Sequence, residues 1–551
     1  MKSVRGEDCF TSLAMTPKTR LLHRLFSLAH EQSRMVAAGN IYRIEIPEYQ
    51  TTPVYFRYWV NILFFLCLLT RIFFTGRYLD CYDSIDFAFG LHDYDLSLLQ
   101  PHFPGYPVYL FISRLFFPWF NNDVPSLGAP GVLFGSLTVY PLSLFVRRLF
   151  SERVALLTTI LYVVNPLCWL QAERPTSDAM GLFFTITSAY FLYRVIDLMQ
   201  GKDPSPAPPE KGKCRRTLSQ NFYLFTGSLV LGLGLGVRLS YFPFIALWIY
   251  VLCYLAGKRM RYDSNVLLCG LMGLAGGVCL WFLPQIHYTG WRPFWRHSLS
   301  FTHGHFTDWG GSIVTLGGMD RITYLVKSLW VYGLGGWWYD CTPFMLIPSA
   351  IIIIFLLYGI KQLHLDCRWQ ILGLYGFPYI LWVFLGQNVT NPRHILPVIP
   401  IILMIISHGL CKTYEEGNKK ISLFFTLIFI VCTSCSSWRL ILHYHNTVPA
   451  PLRIIQFIEK QFDKNSTRIY CGQEKRFFDY YAPLFDARAV RNASDLYFDL
   501  QSSLRKPRHI LLALTQKDAR QWKLTCQPII TFKENPYTDG TDEEVCLFTV
   551  R

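Results

Sequence analysis

Arg77-Tyr78-Leu79-Asp80-Cys81-Tyr82-Asp83-Ser84-Ile85-Asp86-Phe87 follows directly on an apolar run at residues 58–74. About 20 apolar residues in a helix cover the ~30 Å hydrocarbon layer of a bilayer, so the run predicts a first transmembrane helix and the acidic stretch marks its exit. If that stretch is helical, Asp83 and Asp86 share a face and Asp80 joins them one turn earlier. Solvated carboxylates at an interface satisfy this spacing, and so does a carboxylate cluster facing a functional cavity.

Outward from this stretch, further apolar spans fall at residues 124–146, 154–171, 178–196, 221–237, 239–256, 264–285, 343–360, 369–386, 394–411 and 421–440. The total is about eleven, each near the length a bilayer requires. Composition agrees: of 551 residues 52% are hydrophobic and only 16% charged, against roughly a quarter charged in soluble domains. A single soluble globule is excluded. The net charge of +15 is expected in cytoplasmic loops rather than on a nucleic-acid face. Arg147, Arg148 and Arg153; Lys211, Lys213, Arg215 and Arg216; Lys258, Arg259 and Arg261; Lys361 and Arg368; and Lys412, Lys419 and Lys420 all fall on one side, provided that residues 108–120 lie at the outer interface instead of crossing.

The fold class expected is therefore a polytopic α-helical membrane protein, with about eleven transmembrane helices and outer-face interfacial helices. Residues 1–55 read as a basic cytoplasmic segment without a signal-peptide pattern, 56–442 as the transmembrane domain, and 443–551 as a small extracytoplasmic α/β domain. Residues 468–471, 509–514 and 528–532 supply its short apolar runs, and residues 201–219 read as a flexible linker. Of the 16 Cys, Cys432 and Cys435 form a CxxC inside an apolar run, with no second pair to complete a zinc site.

Candidate functional residues gather on the side opposite the basic clusters. Gln100-Pro101-His102-Phe103-Pro104-Gly105-Tyr106-Pro107 predicts a stiff extended segment that holds His102 still. Glu173, Arg174 and Asp178 sit where the third span emerges, Arg238 ends the fifth, and Arg393-His394 opens the tenth. Each arginine taken alone reads as snorkelling to the interface. Convergence of Arg238, Arg393 and His394 on the acidic loops would instead form a site for an anionic lipid head group. His303-Gly304-His305 with Asp308 offers donors for a divalent metal, or belongs to an aromatic interfacial loop with Trp291 and Trp295. No other cofactor is expected.

The order of these parts resembles the GT-C superfamily of membrane glycosyltransferases, in the branch of the protein O-mannosyltransferases and the bacterial lipid A aminoarabinose transferase. The resemblance rests on Tyr82-Asp83-Ser84, on residues 102–107 before an amphipathic helix, on Arg147-Arg148-Leu149-Phe150, on the Glu173 to Asp178 loop, and on Arg393-His394 before Leu396-Pro397. It implies a polyprenyl- or dolichyl-phosphate sugar donor, Asp83 as base, Asp178 or Glu173 as an assisting carboxylate, and His102 and Arg393 as lipid-phosphate contacts. The Asp-Glu pair common in that family is absent, since Ser84 follows Asp83; Asp80 and Asp86 stay open as alternatives.

The expected function is transfer of a sugar from a polyprenyl-phosphate donor to a hydroxyl of a lipid, glycan or protein acceptor on the non-cytoplasmic side. A hydroxyl needs a base and a departing phosphate needs cations. A flippase or transporter of lipid-linked sugars is the alternative; it would need charges near the bilayer midplane rather than at span ends. Asn388-Val389-Thr390, Asn465-Ser466-Thr467 and Asn492-Ala493-Ser494 are sequons relevant to an endoplasmic reticulum lumen. The bacterial side of the resemblance points to a bacterial plasma membrane. Membrane lipid is an expected partner; nucleic acid is not.

Overall fold

The computed structural model describes residues 52–200, 209–257, 265–339, 341–363, 367–472, 474–502, 507–524, 526–539 and 544–550. From Tyr58 onward the chain forms one compact unit, which holds the helix bundle and a C-terminal sheet. The basic segment expected at residues 1–55 lies almost wholly outside the described residues.

Among the described residues ten helices are long and apolar enough to cross a membrane, or eleven if the bent pair Glu152–Val164 and Pro166–Glu173 counts as one span. The 56° bend of that pair has a local cause. Pro166 lacks the N–H that would continue the helical ladder, which frees carbonyls of the preceding turn. Arg71 Nη2 takes the Val163 carbonyl at 2.5 Å and Ser437 Oγ takes that of Val164 at 2.6 Å. Asn165 caps the second segment by accepting from the Cys168 N–H. The bend brings the Glu173–Asp178 turn to the end of the bundle that carries Asp83.

Two spans form the centre. In Asp178–Met199 and Pro392–Glu415, 83% and 89% of the most apolar stretch is buried, against 28% in Val54–Phe74 and Val266–Thr289. The central pair begins with Asp178 and with Pro392-Arg393-His394, so these charged residues enter the bundle at its axis. Glycines set close helix contacts. A Cβ at Gly277 would stand 2.3 Å from the Leu229 carbonyl oxygen and one at Gly273 2.5 Å from that of Phe225, so Pro209–Val237 and Asn265–Thr289 touch backbone to backbone.

After the first span come the helix Tyr82–His92 and a turn at residues 100–106. Pro107–Phe120 follows, an amphipathic helix with Tyr109 and Leu110 buried and Phe111, Leu115 and Trp119 exposed. Its 14 residues make about 21 Å, short of the ~30 Å hydrocarbon layer, as an interfacial helix requires. Two expected loops are in fact helical. Pro209–Val237 begins inside the expected linker, where a proline at the first position and good helix formers favour initiation. The aromatic loop after residue 287 forms the amphipathic helix Trp291–Gly304 and a π-turn, His305–Trp309.

The helix Lys419–Asn446 runs past residue 442 and is followed by Ala450–Gln461. Beyond them lies a five-stranded sheet: β1 (Thr467–Cys471), β2 (Asp486–Ala489), β3 (His509–Thr515), β4 (Ile530–Lys533) and β5 (Glu544–Thr549), ordered β2-β1-β3-β5-β4. β1 is parallel to β2 and β3, whereas β5 is antiparallel to β3 and β4. One apolar core joins this sheet to the Asp83 region: Ile85, Phe87 and Tyr109 pack with Ile455, Phe478 and Leu511.

Candidate active site

Asp83 occupies the first turn of Tyr82–His92, where the helix dipole favours a negative charge. Cys81 and Ser84 fix that turn: the Cys81 N–H donates to Ser84 Oγ at 3.1 Å, and Ser84 Oγ donates to the Cys81 carbonyl at 2.7 Å. One Asp83 oxygen pairs with Arg393 Nη2 at 2.7 Å, and the other lies 3.9 Å from His102 Nε2. Burial alone would raise the Asp83 pKa, but Arg393, His102 and Arg238 outweigh it and hold the carboxyl well below the usual range.

His102 is held on every side. Its Nδ1 lies 3.0 Å from Asp86 Oδ2 and its Nε2 3.1 Å from the Tyr106 hydroxyl. Phe301 stacks on its ring at 5.6 Å, with Phe87 at 6.0 Å. Burial opposes its protonation, yet Asp83 and Asp86 together hold its pKa above the ordinary histidine value. The turn that carries it needs Gly105, at φ +94°, because a Cβ there would meet the Tyr94 hydroxyl at 2.1 Å.

A second ion pair stands beside the first. Arg238 Nη1 is 3.0 Å from Asp178 Oδ1 and 3.4 Å from Ser177 Oγ. The Asp178 contact is an ion pair without hydrogen-bond alignment, so both Asp178 oxygens lack a hydrogen-bond partner among the described residues. Arg238 Nη2 lies 3.3 Å from His394 Nδ1, and since arginine cannot accept, it is the donor in that contact. Asn391 orients the turn before Arg393 by accepting from its N–H. Three buried guanidinium nitrogens, Arg393 Nε and Nη1 and Arg238 Nε, and the buried Tyr241 hydroxyl have no hydrogen-bond partner among the described residues. The site is thus rich in buried donors aimed at no protein acceptor, an arrangement suited to an oxyanion.

Asp83, His102, Asp178, Arg238, Arg393 and His394 therefore meet in one place. Glu173 does not join them: one of its oxygens accepts from Trp169 Nε1, and Arg71 lies over the Trp169 ring at 4.5 Å. Asp80 is engaged elsewhere, by Arg174 Nε at 2.6 Å and the Tyr444 hydroxyl at 3.2 Å. Asp86 is fully buried between His102 and Arg476, whose Nε stands 2.7 Å from Oδ1. The sequence offered no sign of Arg476 or Tyr241 at this site, and Tyr106 entered only within residues 100–107, without a role of its own.

At His303, His305 and Asp308 the geometry favours the aromatic interfacial reading over the metal alternative. Among the described residues no three His, Cys, Asp or Glu side chains group to hold an ion. His305 Nε2 bonds the Gly386 carbonyl at 2.6 Å, and Asp308 accepts from Thr307 Oγ.

Residues 101–203 match the family model of dolichyl-phosphate-mannose-protein mannosyltransferases. That segment includes His102, Glu173 and Asp178. No curated protein sequence matches the chain. In structure the chain is similar to ArnT from Cupriavidus metallidurans in the apo state, with TM-score 0.51, 13% identity and coverage of 90% of this chain and 97% of that one. ArnT bound to undecaprenyl phosphate gives TM-score 0.50, with the same identity and coverage. The Archaeoglobus fulgidus oligosaccharyltransferase tethered to an acceptor peptide gives TM-score 0.50 at 11% identity, over 83% of this chain and 69% of that one. The chain thus shares the fold of ArnT and of the oligosaccharyltransferase, and its many apolar helices mark a multi-pass membrane protein.

Proposed function

We propose that the chain is a glycosyltransferase that moves a sugar from a polyprenyl-phosphate donor to a hydroxyl acceptor, at the non-cytoplasmic end of the bundle. The observation that carries this reading is Arg393, which pairs with Asp83 through one nitrogen and keeps two buried nitrogens without a hydrogen-bond partner among the described residues. Anionic phosphate oxygens satisfy such donors, and ArnT, which is similar in structure, has been captured bound to undecaprenyl phosphate, the phosphate monoester that a polyprenyl-phosphate sugar leaves behind.

In the reaction the acceptor hydroxyl oxygen forms a bond to the sugar C1 while the bond from C1 to the phosphate oxygen breaks. The bonding pair leaves with the phosphate, whose growing charge falls to Arg393 and Arg238. The hydroxyl proton passes to Asp83. Paired with Arg393, Asp83 is a weak base; a phosphate that draws on Arg393 reduces that countercharge and raises the proton affinity of the carboxylate. Asp178 holds Arg238 in place, and His102, poised beside Asp83, adds positive charge near the leaving group. The apolar flanks of the bundle, such as Val266–Thr289, offer a resting place for the polyprenyl tail. The membrane this implies is a bacterial plasma membrane, with the endoplasmic reticulum as the alternative.

The test is turnover of a panel of synthetic polyprenyl-phosphate hexoses and pentoses by purified protein, followed as release of lipid phosphate. Release that requires the protein is expected for at least one sugar with a hydroxyl acceptor present; no release across the panel would reject the proposal.

A further inference from the structure

The C-terminal region reaches the charged site through Arg476. Arg476 lies in the helix Lys475–Tyr481, which follows β1. Its Nε bonds Asp86 Oδ1 at 2.7 Å, and its Nη2 donates to the carbonyls of Leu98 and Leu99 at 3.2 and 2.8 Å. Its guanidinium rests on Phe89 at 4.6 Å. Arg476 therefore grips two separate pieces: the helix that carries Asp83 and Asp86, and the backbone just before the turn that carries His102. A planar, five-donor group can do this where a point charge cannot.

The two oxygens of Asp86 are divided between Arg476 and His102, so the charges alternate from Arg476 through Asp86 and His102 to Asp83 and Arg393. We propose that Arg476 is a positioning residue for the transfer site: by sharing Asp86 it fixes where His102 stands and sets the pH at which His102 gains its proton. On this view the C-terminal region completes the site within the same chain. The inference rests on the transfer reading for its purpose, but its physical content does not depend on that reading.

The groups that face His102 are Asp83 and Asp86 from Tyr82–His92, Tyr106 from its own turn, Arg393 from Pro392–Val398 and His305 from the π-turn. With Arg476 present, Asp86 has two cationic partners. Without it, His102 becomes the remaining counter-ion of a buried carboxylate and keeps its proton to higher pH.

The experiment uses the full chain in nanodiscs. Exchange of the histidine C2 hydrogen for deuterium, read by mass spectrometry on the peptide that holds His102, gives its titration midpoint. Arg476→Gln is expected to raise the midpoint by about one pH unit, and Arg476→Lys to return it towards wild type because the charge is kept. Arg476→Met, which keeps the packing on Phe89, replaces the Gln variant if that protein does not accumulate. Arg488→Gln, which removes an arginine paired with Asp486 and Asp499, should leave the midpoint unchanged. A merely structural role would lower yield or melting temperature without moving it, and an unmoved midpoint in folded Arg476→Gln or Arg476→Met overturns the proposal. Parallel turnover of the synthetic lipid-phosphate sugars by wild type judges the transfer reading separately. A moved midpoint with no turnover upholds Arg476 as a positioning residue and rejects transfer.

Discussion

Arg393 Nη2 stands 2.7 Å from Asp83 Oδ2, while Nε and Nη1 of the same guanidinium bond nothing among the described residues. A buried donor left unsatisfied costs about 1–3 kcal/mol, and more when charged. The ion pair thus joins a base to an incompletely satisfied anion receptor, and the two roles can be separated by substitution.

Asp83→Asn removes the proton acceptor and keeps the shape. Transfer should fall by about 10²–10⁴-fold, with protein amount unchanged, while binding of undecaprenyl phosphate holds or tightens because Arg393 loses a competing carboxylate. Single-turnover rates and equilibrium binding on the same preparation check this; retained transfer would remove Asp83 from the base role.

The pH dependence follows from two opposite shifts. Asp83 is held below the carboxylate range, so it stays ionised through mildly acidic pH, and any stabilisation from its pairing is lost only as pH falls through the depressed folded value. His102 is held above its ordinary value of 6.5; its imidazolium, and the stabilisation it adds, is present at low pH and lost as pH rises through the folded value. The donor phosphodiester does not titrate in this range. Turnover should therefore decline on the alkaline side of 6.5, and His102→Gln should flatten that limb in a pH–rate profile.

Glu173 and Asp178 should part company. Glu173→Gln keeps an acceptor for Trp169 and lies apart from Asp83, so turnover should stay within about threefold. Asp178→Asn breaks a buried pair with Arg238, a change that typically costs about 3–5 kcal/mol, and should raise the donor KM at least tenfold. Steady-state kinetics of both variants decide it.

Gly277→Leu tests the bundle rather than the site. Its Cβ would fall 2.3 Å from the Leu229 carbonyl, which forces the two backbones apart, and melting in detergent should show a loss of about 1–3 kcal/mol or more.

The spans were legible because apolar length is a composition signal that needs no partner. The candidate site was legible for a related reason: Asp178, Arg238 and Arg393 are charges at the edges of apolar runs, where only pairing makes them tolerable. Glu173 carries the same signal and pairs elsewhere, since spacing does not state which way the bend at Pro166 turns it. β1, β3 and β4 coincide with apolar runs, but β2 is the edge strand Asp-Ala-Arg-Ala, whose pairing to β1 leaves no apolar pattern. Arg476 lies 390 residues from Asp86 along the chain, and nothing local marks it.

The most direct test is binding of undecaprenyl phosphate to purified protein at fixed pH and ionic strength, comparing wild type with Arg393→Met. Saturable binding by wild type, weakened at least tenfold in the variant, about 1.4 kcal/mol, is expected. Equal affinity in the two proteins, or no saturable binding in wild type, would contradict a lipid-phosphate site at Arg393.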